Sequence, residues 1–283
     1  MRFMSRRLSL FKKPKEIRYN IKVSEIFDDT IRPAFQDDLI SKVKSVFRSR
    51  GICQVAVVHK NYKLIGTVKR SRLLKSSSFS FVKDILDEIG IFTCESSEVN
   101  EVILEMLKYK EDCIPVVNEK DSLNYKGILS LENIMDALTK VNTELLNTKI
   151  EEIMKKGKSF CYLDDTIFKA WEKMNEEGST GLFILDNENK VVGVITHHDI
   201  LLAKAPGIDV AIENHKDTNH ITVNKIMNKN VIRVKPTCTL IEAAKTMLKY
   251  RIGRLPVVNP ESNEYLGSVT KEDIVKHLIQ SIL

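Results

Sequence analysis

The chain has 283 residues, of which 43% are hydrophobic and 29% are charged. This balance is typical of globular proteins and excludes a disordered or collagen-like chain, and the length favours about two domains. No stretch approaches the roughly 18 consecutive apolar residues that a membrane-spanning helix needs. The first residues are charged from Arg2 to Arg18 and lack an apolar stretch, so we expect no secretory signal.

The net charge of +6 arises in residues 1–20. This segment carries seven basic side chains and one acid, whereas residues 21–283 contain 37 of each sign. Such a basic arm can attract nucleic acid or another polyanion, an anionic membrane surface or an acidic partner protein. The alternative is a solvated, frayed terminus.

Five cysteines are scattered along the chain without a CxxC pair. An odd count without clustered spacing argues against both a disulfide framework and a structural zinc site. We therefore expect a reduced, cytoplasmic protein. The five are Cys53, Cys94, Cys113, Cys161 and Cys238.

One order of elements occurs four times along the chain. Unit one (21–75) contains a helix, the strand VAVVH and the segment KLIGTVKRSRLLK. Unit two (81–140) contains a helix, the strand IPVVN and the segment YKGILSLENIMDALTK. Unit three (149–204) contains a helix around Trp171, the strand GLFILD and the segment KVVGVITHHDILLAK. We expect Trp171 to pack in the core, because it lies at helical spacing with other apolar residues.

Unit four (222–280) shows the pattern most clearly and follows a predicted linker, residues 205–221. Thr239 and Glu242 lie at the spacing of a helix capping box. The pattern of unit four predicts a strand over Val231–Val234 and then a helix that begins at Thr239. Two strands follow, Leu255–Val258 and Tyr265–Val269, and a closing helix begins at Thr270.

A glycine marks the same position in each unit. Gly66, Gly127, Gly193 and Gly267 are separated by 61, 66 and 74 residues, which indicates an internal repeat. Because a unit of about 55 residues is small for an independent core, we expect neighbouring units to pack together.

The repeated unit resembles the cystathionine β-synthase (CBS) domain. The resemblance is carried by Ile-Met near the start of units three and four, by the Pro-Val-Val strand of units two and four, and by Gly-h-h-Thr-x-x-Asp, where h is apolar. That motif runs from Gly193 to Asp199 and from Gly267 to Asp273. The resemblance covers about residues 21–280 and implies an α/β (α+β) fold of four tandem β-α-β-β-α CBS repeats, which pair into two modules that form a flat disc. This layout is similar to the γ regulatory subunit of AMP-activated protein kinase and to stand-alone archaeal CBS proteins.

The resemblance implies an adenosine-containing ligand (AMP, ADP, ATP or S-adenosylmethionine) in clefts between repeats. A carboxylate can accept both ribose hydroxyls, and a hydroxyl at a helix start suits a phosphate. In the family, a basic residue before the second strand often contacts phosphate, and Arg254 matches that position. The candidate nucleotide-binding residues are Thr270, Asp273, Arg254, Ser268, Thr222, Val231, Ile232, Thr196, Asp199, His198, Ser130 and Asn133.

Each candidate has a structural alternative. Thr-x-x-Asp before an apolar run is also a capping box, which needs no ligand. Arg254 could form a salt bridge between repeats. The neighbouring residues His197 and His198 point in different directions at a helix start, so we expect no metal site there, although one of them could donate to a phosphate.

Units one and two depart from the motif. Unit two has Ser130 and Asn133 in place of Thr and Asp, and asparagine can still bond a ribose hydroxyl. Unit one has Lys69 and Arg72, which cannot accept a hydrogen bond from ribose. We expect unit one to lack a nucleotide bound in the usual family manner, with its site empty or filled by its own side chains. The alternative is that its two cations reach the phosphate of a ligand bound next door.

The sequence offers no nucleophile, base and orienting group that would form a catalytic set. The leading hypothesis is a cytoplasmic, non-catalytic sensor that binds an adenosine ligand and relays its occupancy to a partner protein, as a monomeric disc or a homodimer. The alternative is a ligand-independent scaffold or adaptor whose basic arm docks a partner protein or nucleic acid.

Overall fold

The computed structural model describes residues 20–50, 52–74, 76, 79–141, 144–202 and 221–280. The predicted basic arm (1–20) and linker (205–221) therefore lie outside the described residues, except for their last residues. Short strands and helices alternate, which confirms the predicted α/β class. Among the described residues, no helix is long and apolar enough to cross a membrane.

Each unit is built on an antiparallel hairpin that follows its first helix. The strands are β1 Ala34–Phe35, β2 Gln54–Val58, β3 Leu64–Lys69, β4 Asp87–Glu88, β5 Thr93–Cys94, β6 Cys113–Val117, β7 Tyr125–Ser130, β8 Phe160–Tyr162, β9 Gly181–Leu185, β10 Val191–Thr196, β11 Arg254–Val258 and β12 Tyr265–Thr270. The helices are α1 Ile40–Arg50, α2 Arg70–Leu74, α3 Val99–Lys108, α4 Leu131–Thr139, α5 Ile167–Glu176, α6 His197–Leu202, α7 Leu240–Tyr250 and α8 Lys271–Leu278.

In units one to three, a short first strand pairs parallel with the hairpin: β1 with β2, β5 with β6 and β8 with β9. The prediction of a strand over Val231–Val234 in unit four is wrong. Only Val234 pairs there, through a single parallel bridge to Val257. Val234 donates its N–H to the carbonyl of Pro256 at 3.1 Å and accepts the N–H of Val258 at 3.0 Å. Pro256 itself has no N–H that could donate to Ile232 and extend the ladder.

A lead segment opens each unit and packs on the other unit of its module. We define the lead segments as residues 22–28, 81–88, 149–155 and 222–228. In the first module, Asp28 of unit one bridges to Ile128 of unit two, and β4 of unit two pairs with β3 of unit one. The second module repeats this exchange, since Lys155 bridges to Ser268 and Asn228 bridges to Val194.

The four marker glycines make room for these lead segments. A Cβ atom at Gly267 would lie 2.5 Å from the carbonyl oxygen of Lys155, which is closer than real Cβ atoms approach. The same kind of clash would occur with the facing lead segment at Gly66, Gly127 and Gly193. The repeated glycine of the sequence is therefore required by the exchange within each module.

Apolar faces join the units in two directions. One helical core joins units two and four, where α4 packs against α7 and α8. The other joins units one and three, where α6 packs against α1 and α2, and it contains the buried Trp171, as expected. Smaller cores lie between the sheets of units one and two and between those of units three and four. The two modules therefore lie side by side, joined through their helices.

The structure contradicts the expectation that the cysteines are unpaired. Cys53 and Cys113 form a disulfide across a sequence separation of 60 residues. Cys53 precedes β2 and Cys113 begins β6, so the two equivalent hairpins of the first module bring them together. Sequence spacing cannot reveal this pair, because the contact arises from the packing of two repeats.

Candidate functional site

The Thr-x-x-Asp motifs form capping boxes in the structure. At the start of α8, the Oγ1 and backbone N–H of Thr270 donate to Oδ2 of Asp273 at 2.7 and 2.9 Å, and the N–H of Asp273 donates to Oγ1 of Thr270 at 3.2 Å. Thr196 and Asp199 make the same three bonds at the start of α6. Each box uses one carboxylate oxygen, which leaves the other, Oδ1, as the group that differs between units.

In unit four, Oδ1 of Asp273 is bound by a cation. Nζ of Lys155, from the lead segment of unit three, lies 2.7 Å from it. Asp273 is buried, whereas the Lys155 side chain is 53% exposed. The acid that suited a ribose therefore has both oxygens occupied within the protein.

The residue that faces unit three, as Lys155 faces unit four, is Asn228 in the lead segment of unit four. Asn228 bridges to Val194, as Lys155 does to Ser268, and its Oδ1 accepts the N–H of Asn230 at 2.9 Å. No cation forms a salt bridge with Asp199 among the residues that the structure describes. Among the described residues, Oδ1 of Asp199 therefore forms no salt bridge, whereas Oδ1 of Asp273 is paired with Lys155.

In unit one, the ion pair of unit four recurs with its charges exchanged. Arg72 holds the position of the acid, and its Nη2 lies 2.6 Å from Oδ1 of Asp87 in the facing lead segment. Lys69 is paired with Glu111 at 2.5 Å. These residues line an open cavity of about 550 Å³. The cations that replace Thr and Asp are thus paired with acids of unit two, and the absence of a nucleotide there stays a prediction.

Unit two keeps the capping box without the carboxylate. Oδ1 of Asn133 accepts from the N–H and the hydroxyl of Ser130 at 3.0 and 2.6 Å, and the N–H of Asn133 donates back to that hydroxyl at 3.1 Å. The side chain of Asp28, in the facing lead segment, accepts from Thr30. Asparagine therefore supports this helix start as aspartate does.

Arg254 reaches across the second module to unit three. Its guanidinium donates to Oγ of Ser179 and to Oγ1 of Thr180, both at 2.7 Å, and to the carbonyl of Gly181. Gly181 lies opposite Thr196 in the hairpin of unit three. A permanent positive charge therefore lies beside the capping box of Asp199, and burial lowers the pKa of this arginine without making it neutral.

His197, directly after Thr196, is a buried titratable group beside the capping box of Asp199. Its pKa is lowered to about 4 by burial and by the charges of Arg70 and Arg254, so it is neutral at pH 7. Its Nε2 and the Nε of Arg70 have no hydrogen-bond partner among the described residues. Burial and Arg70 also lower the pKa of His198, although Asp199 opposes the shift.

Titratable side chains from all four units meet where the modules join. Lys271 of unit four lies 3.6 Å from Asp112 of unit two, and Asp112 also acts on the charges of Arg70 and Arg254. We call Arg70, Asp112, His197, Arg254 and Lys271 the central charge cluster. In the part of the chain that the structure describes, no group of acids, histidines or cysteines is arranged to hold a metal ion.

Sequence patterns did not reveal Arg70, Asp112 or Lys271, and of the two adjacent histidines they selected His198 rather than His197. Arg70, His197 and Lys271 each directly follow the Thr position of their unit, so a comparison of that column between units could have found them. Asp112 and Lys155 have no such signal, because their partners come from another unit.

The remaining candidate residues lie in unit four of the second module. Ser268 is buried, and its backbone N–H and carbonyl both bond to Lys155. Thr222 precedes the short 3-10 helix of its lead segment. Val231 packs against the sheets of units three and four, whereas Ile232 packs against the helical core of units two and four. Val231 and Ile232 therefore contribute to different cores.

Residues 82–140, 150–205 and 223–280 match the CBS domain family. Protein MJ1404 of Methanocaldococcus jannaschii is 27% identical over 269 residues, which cover 92% of this chain and 62% of that protein. The inosine-5'-monophosphate dehydrogenase of the same organism is 34% identical over 128 residues, or 45% of this chain and 23% of the enzyme. The chain therefore spans less than two thirds of the length of these two relatives.

The architecture is also found in solved structures. Protein MJ1225 of Methanocaldococcus jannaschii, described as a proposed archaeal homologue of g-AMPK, superposes with a TM-score of 0.77 at 20% identity over 90% of this chain and 99% of that one. A protein from Pyrococcus horikoshii gives a TM-score of 0.63 at 20% identity and is covered over its full length, with 91% of this chain. These similarities show the same fold.

Proposed function

The chain belongs to the CBS domain family, and we propose from this premise that it is a cytoplasmic, non-catalytic sensor of adenine nucleotides. The observation that carries the proposal is the arrangement at unit three, where Asp199 forms no salt bridge with another described residue and caps the helix beside the hairpin end that the guanidinium of Arg254 reaches. An acceptor and a donor of opposite charge at the same end of one hairpin match the two polar ends of a nucleoside phosphate.

Ribose binding is assigned to Asp199 rather than to Asp273. No described residue forms a salt bridge with Asp199, so its Oδ1 can accept from the vicinal hydroxyls, whereas a ribose at Asp273 would first have to displace Lys155. Thr222 and Val231, from the start of unit four, would frame the base on the opposite side. The pair Thr196–Asp199 therefore serves two purposes: one carboxylate oxygen caps α6, and the other binds ligand.

Phosphate binding is assigned to the central charge cluster. Arg254 and Arg70 carry permanent positive charges, and Lys271 adds a third. Burial, together with the charges of Arg70 and Arg254, lowers the pKa of His197 and keeps it neutral, and an anion beside it would favour its protonated form. This environment favours AMP, ADP and ATP over S-adenosylmethionine, because the sulfonium of the latter is positive where the cluster requires negative charge.

The same cluster gives a route from occupancy to signal. Its five residues come from all four units, so an anion that alters their contacts acts on both helical cores. A ligand can shift such a protein between two arrangements only by the difference in its affinity for them. The proposed partner protein would recognise one of these arrangements.

The alternative, a ligand-independent scaffold, has its support in the first module. The pairs Lys69–Glu111 and Arg72–Asp87 satisfy the charges of unit one without a ligand. The proposed roles therefore differ between the modules, with the first module acting as a structural partner of the second.

A panel of adenosine, AMP, ADP, ATP and S-adenosylmethionine, measured by thermal shift and calorimetry, tests the proposal. A ligand present at 100 times its dissociation constant should stabilise the protein by about 2.7 kcal/mol. Arg254→Ala should weaken ATP far more than adenosine, whereas Arg32→Ala, at an exposed arginine of unit one, should leave both unchanged. Failure of the whole panel to stabilise the wild-type protein would contradict the proposal and support the scaffold.

A further inference from the structure

The disulfide between Cys53 and Cys113 joins the two units of the first module. The Cα atoms are 6.4 Å apart, within the range that a disulfide spans. Cys113 is 1% exposed, but Cys53 is only half-buried. An external thiolate can therefore reach the pair from the side of Cys53.

The other three cysteines are buried thiols, Cys94, Cys161 and Cys238. Burial raises the pKa of Cys161 to about 12 and that of Cys238 to about 11. Because the thiolate is the reactive form in disulfide exchange, these two stay inert at neutral pH. Cys161 and Cys238 therefore do not compete with Cys53 and Cys113 for an external disulfide.

The peptides around this pair hold the central charge cluster. The carbonyl of Cys53 accepts the backbone N–H of Arg70 at 3.4 Å, and the carbonyl of Ile52 accepts its guanidinium. On the other side, Asp112 precedes Cys113 and pairs with Lys271. The side chain of Gln54 also donates to the carbonyl of Cys113. The disulfide therefore fixes the distance between the peptides that support Arg70 and Asp112.

We propose that Cys53 and Cys113 are a reversible redox pair that sets the geometry of the central charge cluster. The oxidant is a low-molecular-weight disulfide such as oxidised glutathione. One cysteine thiolate attacks it, forms a mixed disulfide and releases one glutathione thiolate; the second cysteine thiolate then attacks the bound protein sulfur and releases the other. Two protein thiols lose two electrons and two protons, and one glutathione disulfide becomes two glutathione thiols. Reduction by a dithiol reverses these steps.

The oxidised pair holds Arg70 in place for an anion, whereas the reduced pair lets the two peptides separate. Pre-organised side chains bind more tightly because less freedom is lost on binding. ATP should therefore bind about threefold to tenfold more tightly to the oxidised protein. This consequence for ATP rests on the proposed function, whereas the redox cycle and its effect on the cluster do not.

The first experiment follows the thiols of the full chain in buffers of varied glutathione ratio. After denaturation and alkylation, peptide mass spectrometry should show Cys53 and Cys113 protected together under oxidising conditions and alkylated together after mild reduction of the native protein. Cys161→Ala should leave this titration unchanged, and Cys53→Ser should leave Cys113 as a thiol. A pair that stays reduced at every ratio, or that the native protein never releases, overturns the proposal.

The second experiment measures the coupling. Calorimetry with ATP should give the tighter dissociation constant for the oxidised wild type, and the difference should vanish in Cys53→Ser/Cys113→Ser. Histidine NMR adds a measurement without ligand: the His197 ring signals should shift on reduction, whereas those of exposed His59 should not. If ATP binds neither form, the proposed function fails and the NMR shift alone decides the coupling. Equal ATP affinities, or unmoved His197 signals where ATP does not bind, overturn the coupling.

Discussion

The substitution Asp199→Asn separates the ligand role of the third capping box from its structural role. Asparagine retains one oxygen, which can accept from Thr196 as Oδ1 of Asn133 accepts from Ser130 in unit two. Its second group is an NH₂, which donates and cannot accept a ribose hydroxyl. The variant should therefore fold normally and bind nucleotide poorly.

The magnitude follows from the loss of one charged acceptor. A hydrogen bond to a charged group contributes about 1.5–3 kcal/mol, which corresponds to a loss of about 10-fold to 100-fold in the affinity for AMP or ATP. Because the capping bonds to Thr196 remain, the free energy of unfolding should fall by less than about 1 kcal/mol. The ratio of these two effects distinguishes a binding residue from a capping residue.

The assay is calorimetric titration with AMP and ATP, together with urea unfolding of each variant. Asp273→Asn is the matched control, since it makes the same chemical change in the same kind of box, where Lys155 already occupies the outer oxygen. We expect it to change the affinity less than twofold. The reasoning is refuted if Asp199→Asn binds as the wild type does, or if the two variants lose affinity equally.

Three further predictions concern other features of the second module. Lys155→Asn gives Asp273 the neutral neighbour that Asp199 has, so calorimetry should show a second nucleotide per chain; an unchanged stoichiometry would mean that Lys155 does not block the site. Gly267→Ala should lower the free energy of unfolding by about 1–3 kcal/mol, because the added Cβ meets the lead segment. The control Gly90→Ala, where a Cβ has nothing within 4 Å, should lower it by less than about 0.5 kcal/mol. Equal losses in the two variants would contradict the close approach at Gly267. The pKa of His197 falls from 6.5 to about 4 on folding, so the unfolded chain binds the proton first as the pH is lowered. The free energy of unfolding should therefore fall by up to about 3 kcal/mol between pH 6.5 and pH 4. In His197→Gln this part of the pH dependence should disappear.

The repeat and the fold class were predictable because they rest on local chemistry. The capping boxes, the marker glycines and the apolar helix faces are each visible within one unit. The strand over Val231–Val234 was mispredicted for a related reason: an apolar run indicates burial, but within this run only Val234 pairs with another strand. Local pattern thus specifies burial more reliably than pairing.

The site was predictable only in part, because its specificity arises between units. Asp199 and Asp273 are equivalent in sequence, and the difference between them is made by Asn228 and Lys155 in the lead segments. The reversed pair of Arg72 and Asp87 is hidden for the same reason. No spacing within one unit reports which residue of another unit will face it.

The exchanged lead segments have a consequence for how such a chain can be divided. A unit cut out alone would carry a lead segment with no strand to pair with, and its own hairpin would lack the segment that covers it. Two copies of that fragment can satisfy each other, so in solution it should associate as a reciprocal dimer. The full chain corresponds to two such dimers joined in sequence, with each pair of units linked into one module. We therefore expect that units can be added or removed without unfolding the protein only in pairs.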